Sequence, residues 1–208
     1  MEVMQTIFIR HFQTPGNEKR QYIGSTEEKL SCRAREEFVK NPFFYPRAEM
    51  LIASPMKRCI QTAELLYPGQ EIVTETLLRE CDFGAFEKKT YEELKEHPAY
   101  IRWLHSGGEI PFPNGEGKEA FRARCVQGFQ KTIEKALSEG DKSAAFVVHG
   151  GTMMAVLSAY DVSCREFYTW QAANGEGYQA VLDIERFRAG ERCFTEILPL
   201  TKRYRKEH

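Results

Sequence analysis

Residues 3–17 read VMQTIFIRHFQTPGN, and this stretch decides the fold. Its first part, Val3–Ile9, is short, apolar and β-branched, which predicts an interior strand. The turn formers at 15–17 end that strand, so Arg10 and His11 stand at its carboxyl end. Because ligands of open α/β sheets bind at that edge, we expect the two side chains to face a substrate. The alternative, a strand end that carries two polar residues by chance, stays open on this segment alone.

A second strand is predicted over Met50–Ala53, and a helix is expected to begin where it stops. Ser54-Pro55 has the pattern of an N-cap followed by a first-turn proline, which predicts a helix over Pro55–Leu66. Arg58 then falls in the first turn of that helix. A first-turn side chain leans back toward unpaired backbone N–H groups, which already favour an anion.

The third predicted strand, Ala144–Val148, is the most uniformly apolar segment and runs directly into His149-Gly150-Gly151. A further helix is predicted over Met153–Tyr160. A strand, a glycine pair and a helix start point backbone N–H groups, here near Gly150, at an anion. The segment therefore predicts a second histidine beside an anion site.

The remaining periodicities complete an alternation of strands and helices. Apolar residues recur every fourth position between Gly117 and Leu137, which predicts one long helix with Gly140 as its C-cap. Gly128 inside that helix costs about 1 kcal/mol relative to alanine, so packing must offset it. Short helices are predicted from Ser31 to Val39, around Tyr91–Lys95 and over Pro98–Leu104, and strands over Glu71–Thr74, Tyr178–Ile184 and Cys193–Leu198, the last two as an antiparallel edge hairpin.

Length and composition favour one domain. A chain of 208 residues with 42% hydrophobic residues can bury a sizeable core, so we expect a single domain over 1–208. The segment 83–116 is rich in aromatics, glycine and proline and is expected to form a helical and loop insertion over the active site. Its aromatic side chains are expected to pack mainly on one another.

The net charge and the positions of the cysteines argue against several classes of protein. A formal net charge of -1 argues against a nucleic-acid or membrane-surface binder, and the basic tail 201–206 is expected to be a solvated terminus. The apolar run at the start is too short to span a bilayer, so we expect a soluble cytoplasmic protein, monomeric or homodimeric. Six scattered cysteines without a Cys-x-x-Cys pair predict reduced thiols rather than disulfides, zinc or another metal site, and no cofactor is expected.

Two strand-end histidines, two arginines and a glutamate form a set suited to phosphoryl transfer without a metal. A transferring phosphoryl group carries spread negative charge and needs fixed cations. Arg10 and Arg58 can donate in forks, and a protonated His149 would add a third positive centre. These residues predict a small phosphomonoester as substrate.

The nucleophile is chosen among His11, a cysteine and a serine. No cysteine is followed by the arginine of a thiolate phosphatase loop, and no Gly-x-Ser-x-Gly elbow is present. A neutral His11 can attack phosphorus if its other ring nitrogen donates to a backbone carbonyl. One carboxylic acid can then protonate the leaving alkoxide and later activate water. Glu80 is the candidate for that acid, and the nearby Asp82 is its rival.

Four blocks, in this order along nearly the whole chain, carry a family resemblance. The chain resembles the histidine phosphatase family, within the phosphoglycerate mutase-like superfamily. The blocks are Arg10-His11-x-x-Thr14, Ser54-x-x-x-Arg58-x-x-x-Thr62-Ala63, Leu78-x-Glu80-x-x-Phe83-Gly84-x-x-Glu87 and His149-Gly150-Gly151. The fold implied is α/β and three-layered, a mostly parallel central sheet with helices on both faces and an antiparallel edge strand.

The resemblance also implies roles for individual residues. His11 would become phosphorylated and Glu80 would be the proton donor. The phosphoryl group would be held by Arg10, Arg58 and His149. The phosphate or substrate site would also be lined by Thr14, Asn17 and the backbone near Ile23-Gly24.

Two positions depart from the family pattern, since Phe12 and Lys88 stand where glycine is usual. A ring of Phe12 that narrows the pocket is one expectation, and a packed ring is the other. Tyr22–Thr26 and the segment 113–124 look most like α-ribazole phosphatases, which makes α-ribazole 5'-phosphate a candidate substrate. A phosphoglycerate mutase and a catalytically silent phosphate-ligand binder or scaffold remain the alternatives.

Overall fold

The computed structural model describes residues 2–42 and 45–200, so the basic tail lies outside the described residues. The strands are β1 (Val3–Arg10), β2 (Met50–Ala53), β3 (Ile72–Thr74), β4 (Ser143–Val148), β5 (Gly177–Asp183) and β6 (Phe194–Leu200), and the helices are α1 (Pro15–Glu18), α2 (Cys32–Lys40), α3 (Lys57–Leu66), α4 (Tyr91–Leu94), α5 (Pro98–His105), α6 (Lys118–Glu139), α7 (Gly150–Tyr160) and α8 (Ile184–Arg188). Within the described ranges, every helix is too short or too polar to cross a bilayer.

The six strands form one sheet in the order β3-β2-β4-β1-β5-β6. The first four are mutually parallel, whereas β5 is antiparallel to β1 and β6 is antiparallel to β5. The predicted α/β class with a mostly parallel sheet and an antiparallel edge is therefore confirmed. In the centre, Arg10 pairs with Val148, so the residues after β1 and β4 emerge side by side.

Helices cover both faces because side chains alternate along each strand. Ile7 and Ile9 of β1 pack with Cys59 and Ala63 of α3 in one core. Phe8 points to the opposite face, where its ring lies 5.9 Å from that of Phe129 in α6. Each such buried ring or aliphatic side chain contributes about 1.5–3 kcal/mol, so the two cores fix the sheet between two helical layers.

The predicted long helix is confirmed as α6, and Gly140 ends it in the left-handed conformation with φ +85°. Gly128 has a packing reason. A Cβ at this position would lie 2.8 Å from the Leu77 side chain, so only glycine lets α6 approach the 3-10 turn Thr76–Leu78 so closely. That turn precedes Glu80, and the close approach therefore helps to place the candidate acid.

Residues 83–116 contain the two predicted short helices, α4 and α5, and a 3-10 turn at Gly84–Phe86 that precedes them. The segment is closed at its base, where the Ala85 N–H donates to the Pro113 carbonyl at 2.8 Å. Its rings pack on one another as expected, for example Trp103 on Phe112 with centroids 4.8 Å apart. Several of these rings nevertheless also line a cleft, which is described below.

Candidate active site

His11 follows β1 and is nearly buried, with 3% of its surface exposed. Its Nδ1 lies 2.7 Å from the Phe12 carbonyl oxygen, which can only accept, so Nδ1 carries the proton and Nε2 keeps its lone pair. Burial, reinforced by Arg58 and Arg10, holds the pKa of His11 well below its usual value. The ring is therefore neutral at pH 7, as a nucleophile requires.

His149 follows β4 and stands edge-on to His11, with ring centroids 5.2 Å apart. Its Nδ1 accepts the Arg58 Nε–H at 3.3 Å, and its Nε2–H donates to the Ser54 hydroxyl at 2.8 Å. Burial and the nearby Arg58 hold the pKa of His149 well below its usual value. The expectation of a protonated His149 is therefore wrong for the unliganded protein.

Ser54 does not cap α3 as the sequence suggested. The helix begins at Lys57, and the preceding residue, Met56, makes no side-chain cap. The Ser54 hydroxyl instead accepts a hydrogen bond from His149. Arg58 still lies in the first turn, as predicted. The correction matters for the site, since it gives Ser54 a direct contact with a candidate phosphate-binding residue.

Arg58 is completely buried and is held in place by a loop. Its Nη2 donates to the Gly24 carbonyl at 2.7 Å and its Nη1 to the Thr26 carbonyl at 2.8 Å. Together with the Nε–H to His149, these bonds use three of the five guanidinium N–H groups. Two donors remain for an anion.

The loop that holds Arg58 is itself held by Glu87. The carboxylate accepts the backbone N–H groups of Gly24, Ser25 and Thr26 at 3.1, 2.9 and 3.3 Å, and the Thr26 hydroxyl at 2.6 Å. Sequence reasoning quoted Glu87 within a motif but gave it no role. Only glycine fits at position 24, because a Cβ there would lie 1.9 Å from the Cys81 carbonyl oxygen.

Arg10 ends β1 and lies beside Gly150, where an added Cβ would be 3.4 Å from the guanidinium carbon. Its Nη1 donates to the Ala172 carbonyl at 2.8 Å, while its buried Nε–H has no acceptor among the described residues. Burial lowers the pKa of Arg10 and the nearby Glu80 opposes that shift. An unpaired buried donor is costly, and an anion would satisfy it.

Glu80 bridges two backbone N–H groups. One carboxylate oxygen accepts from Gly151 at 3.0 Å, and the other accepts from Cys81 at 2.9 Å. The rival, Asp82, accepts instead from the Ser25 hydroxyl and from the Gly84 N–H at 3.0 and 2.9 Å, which braces a loop. Of the two carboxylates, Glu80 shares a cleft with Arg10.

The remaining predicted residues lie next to this group. The Thr14 hydroxyl caps α1 by accepting the Asn17 N–H, and the Asn17 side chain accepts the Thr14 N–H at 3.2 Å. The side chain of Ile23 is buried, so only its backbone is placed to contact a ligand. Asn174, which sequence reasoning missed, donates to the His11 carbonyl at 2.9 Å.

The two departures from the family pattern have structural answers. Phe12 is buried in a small core with Leu30, and its ring lies 5.4 Å from that of Phe38, so the idea that it narrows the pocket is wrong. Lys88 adopts φ +62°, the left-handed region that favours glycine. Its N–H still donates to the Tyr22 carbonyl at 2.8 Å, so the turn is kept at a modest cost.

A cleft of about 650 Å³ opens beside Arg10, Glu80 and the Gly150-Gly151 pair. Seven aromatic side chains among the described residues line its walls, namely Tyr22, Phe83, Trp103, Phe112, Phe121, Phe167 and Tyr168. Over residues 2–42 and 45–200, no three His, Cys, Asp or Glu side chains are grouped to hold a metal ion.

Known proteins of the same fold include phosphatases and mutases. A broad-specificity phosphatase from Saccharomyces cerevisiae is 28% identical over 165 residues, which cover 74% of this chain and 69% of that protein. An α-ribazole phosphatase from Shigella flexneri has a TM-score of 0.70 at 20% identity, covering 88% of this chain and 92% of that one. A phosphoglycerate mutase from Thermus thermophilus has a TM-score of 0.65 at 24% identity, covering 95% of this chain and 99% of that one.

The family follows from the sequence match. The pattern that describes the histidine phosphatase superfamily (branch 1) matches residues 6–190, which is most of the chain and includes all four sequence blocks. The sheet order and the paired strand-end histidines agree with that match. The chain belongs to the histidine phosphatase superfamily.

Proposed function

We propose that this protein is a metal-independent phosphatase that hydrolyses a small phosphomonoester through a phosphohistidine at His11. The observation that carries the proposal is the hydrogen bond from His11 to the Phe12 carbonyl, which fixes the tautomer of the buried imidazole. Its Nδ1–H is bound to the Phe12 carbonyl, which leaves the lone pair on Nε2, and the His149 ring lies 5.2 Å away. Arg58 and Arg10 are near enough to help burial lower the pKa of His11. A buried neutral imidazole with two arginines nearby is suited to nucleophilic attack on an anionic phosphoryl group.

In the first step, Nε2 of His11 attacks phosphorus while the bond from phosphorus to the ester oxygen breaks. The Nε–H of Arg10 and the two unused N–H groups of Arg58 neutralise the charge that spreads over the three phosphoryl oxygens. Glu80, in its protonated form, gives its proton to the departing alkoxide. The products of this step are the free alcohol and a phosphorylated His11.

In the second step, a water molecule attacks the phosphohistidine. The Glu80 carboxylate takes the proton from that water as the bond from phosphorus to Nε2 breaks. Inorganic phosphate leaves, and His11 and Glu80 return to their starting states. The hydrogen bond from the Gly151 N–H to Glu80 keeps the carboxylate at the cleft in both steps.

We propose α-ribazole 5'-phosphate as the specific candidate substrate, supported by the Tyr22–Thr26 and 113–124 segments and by the fold shared with an α-ribazole phosphatase. A screen of phosphorylated metabolites that includes this ester tests the assignment. Phosphate transfer between the hydroxyls of phosphoglycerate, without release of inorganic phosphate, would instead identify a mutase.

The reaction class is tested with an aryl phosphate in excess EDTA between pH 5 and 8. We expect turnover by the wild type, loss of turnover in His11→Ala and Glu80→Gln, and an acid-labile phosphoprotein in a rapid quench. His105→Ala and Glu64→Gln are matched controls, since both side chains are exposed and lie outside the site. No turnover at any pH, or full activity in His11→Ala, would overturn the proposal, and an inactive phosphate binder would then remain.

A further inference from the structure

The cleft beside the candidate phosphate site is lined by several aromatic side chains, which binding of a phosphoryl group alone does not require. From the end that holds Arg10 and Glu80, the cleft extends between the insertion 83–116 and the 3-10 turn Phe167–Trp170. Phe83 and Phe112 meet edge to face with centroids 5.1 Å apart, and Trp103 stacks on Phe112. These contacts form a rigid apolar wall rather than a set of mobile side chains.

The opposite wall comes from the 3-10 turn, whose Phe167 and Tyr168 line the cleft, and Gly108 of the insertion lies close to both Trp103 and Tyr168. A Cβ added at Gly108 would lie 3.4 Å from the indole of Trp103 and 3.9 Å from the Tyr168 hydroxyl. The Trp103 indole and the Tyr168 hydroxyl therefore border the same part of the cleft, where a larger side chain at position 108 would take up space. A cleft lined by aromatic rings from both segments fits a flat group best, because such a group can stack on them.

The charges that line the cleft disfavour a second acidic group on the substrate. The cationic side chains among the described residues that line it are Arg10, which serves the phosphoryl group, and Lys118. The Lys118 ammonium already pairs with the Glu109 carboxylate at the rim. A carboxylate on the leaving alcohol would have to displace Glu109, and it would also face Glu80.

We infer that the substrate is a phosphomonoester whose alcohol carries a flat apolar ring and no carboxylate, with Trp103 and Tyr168 as the specificity-determining residues. This inference rests on the proposed phosphatase function and narrows it. The α-ribazole ester, whose base is a fused ring system, belongs to this class, whereas phosphoserine and phosphoglycerate do not.

Three esters of primary alcohols separate the effects, because they break the same kind of bond: 2-(1-naphthyl)ethyl phosphate, ethyl phosphate and O-phosphoserine. We expect kcat/KM for the naphthyl ester to exceed that for ethyl phosphate by on the order of tenfold to hundredfold, since ring stacking contributes that much to binding. Phosphoserine is expected to be the poorest substrate of the three.

Variants at two similarly exposed tyrosines locate the effect. Tyr168 is 57% exposed and lines the cleft, whereas Tyr91 is 54% exposed and does not. We expect Tyr168→Ala to lower the ratio of kcat/KM for the naphthyl ester to that for ethyl phosphate by about tenfold, and Tyr91→Ala to leave the ratio unchanged.

The outcomes separate this inference from the proposed function. If ethyl phosphate and the naphthyl ester are hydrolysed equally well, or phosphoserine is preferred, the protein is a phosphatase and the inference is wrong. An unchanged ratio in Tyr168→Ala would also refute it. If none of the three esters, nor the aryl phosphate, is hydrolysed, the proposed function itself fails.

Discussion

Glu87→Gln tests whether the position of Arg58 depends on Glu87, which does not line the cleft. The carboxylate accepts the N–H groups of Gly24, Ser25 and Thr26, and the loop they form offers two carbonyls to Arg58. Glutamine keeps one acceptor oxygen and places an amide NH₂ against N–H donors. The substitution thus leaves part of the loop without an acceptor while the shape of the side chain is retained.

The expected loss of stability and of kcat in Glu87→Gln follows from the hydrogen bonds that the carboxylate makes. Hydrogen bonds to a charged group contribute about 1.5–3 kcal/mol each, and the substitution removes or weakens at least two of them. Because Glu87 is only partly buried, we expect a loss of about 2–4 kcal/mol of stability, which lowers the Tm by about 4–16 °C for a chain of this size. A guanidinium displaced by about 1 Å costs on the order of a hundredfold in rate, so kcat should fall tenfold to hundredfold.

The assay compares kcat and KM on an aryl phosphate at 20 °C, where the variant remains folded, with Tm from thermal melts. Glu64→Gln, an exposed position on the same helix as Arg58, is the matched control and should change neither value. Glu87→Asp keeps the charge and should restore part of the lost rate. A Glu87→Gln enzyme with lowered Tm but a kcat within twofold of the wild type would refute the link from Glu87 to Arg58.

Three further predictions concern charge. Arg58→Ala should lower kcat by on the order of a hundredfold or more with a smaller change in KM, and a pure KM effect in steady-state kinetics would contradict this. Glu109→Gln frees Lys118 and should raise kcat/KM for phosphoserine up to about fivefold; unchanged kinetics would argue against the role of that pair. The lowered pKa values of His11 and His149 mean that the unfolded chain binds more protons below about pH 6.5, so stability is full above that pH and is lost as the pH falls, by up to about 1.4 kcal/mol per histidine per pH unit. A Tm that stays flat in melts from pH 7 to 5 would contradict the last expectation.

The sheet and the residues at its edge were predictable because they depend on local patterns. Val3–Ile9 and Ala144–Val148 are short, largely apolar runs typical of interior strands, and a histidine follows each of them within two residues. Since carboxyl ends of parallel strands share one edge, adjacency of the two strands is enough to bring the histidines together. The pairing of Arg10 with Val148 provides that adjacency.

What the sequence could not provide is the partner of each polar side chain. Ser54-Pro55 has the local pattern of a helix start, but a histidine 95 residues away occupies the Ser54 hydroxyl and the helix begins later. Phe12 follows the nucleophile, and only the position of α2 determines that its ring packs on Phe38. The clamp of Glu87 on the loop at Gly24 likewise joins segments 63 residues apart. Local propensity carries no information about such contacts.

The neutral state of His149 follows from the same packing and links anion binding to protonation. In the unliganded protein its Nδ1 lone pair accepts the Nε–H of Arg58, so a proton on Nδ1 would set two donors against each other. Burial is the main cause of the lowered pKa of His149, and Arg58 and Arg10 lower it further; a phosphoryl dianion would offset the charge of these arginines and so raise that pKa. Protonation of His149 would then release the Arg58 Nε–H toward the anion. Inorganic phosphate should therefore reduce the loss of stability between pH 7 and 5. If the Tm falls equally with and without phosphate over this range, phosphate binding and protonation of His149 are not linked.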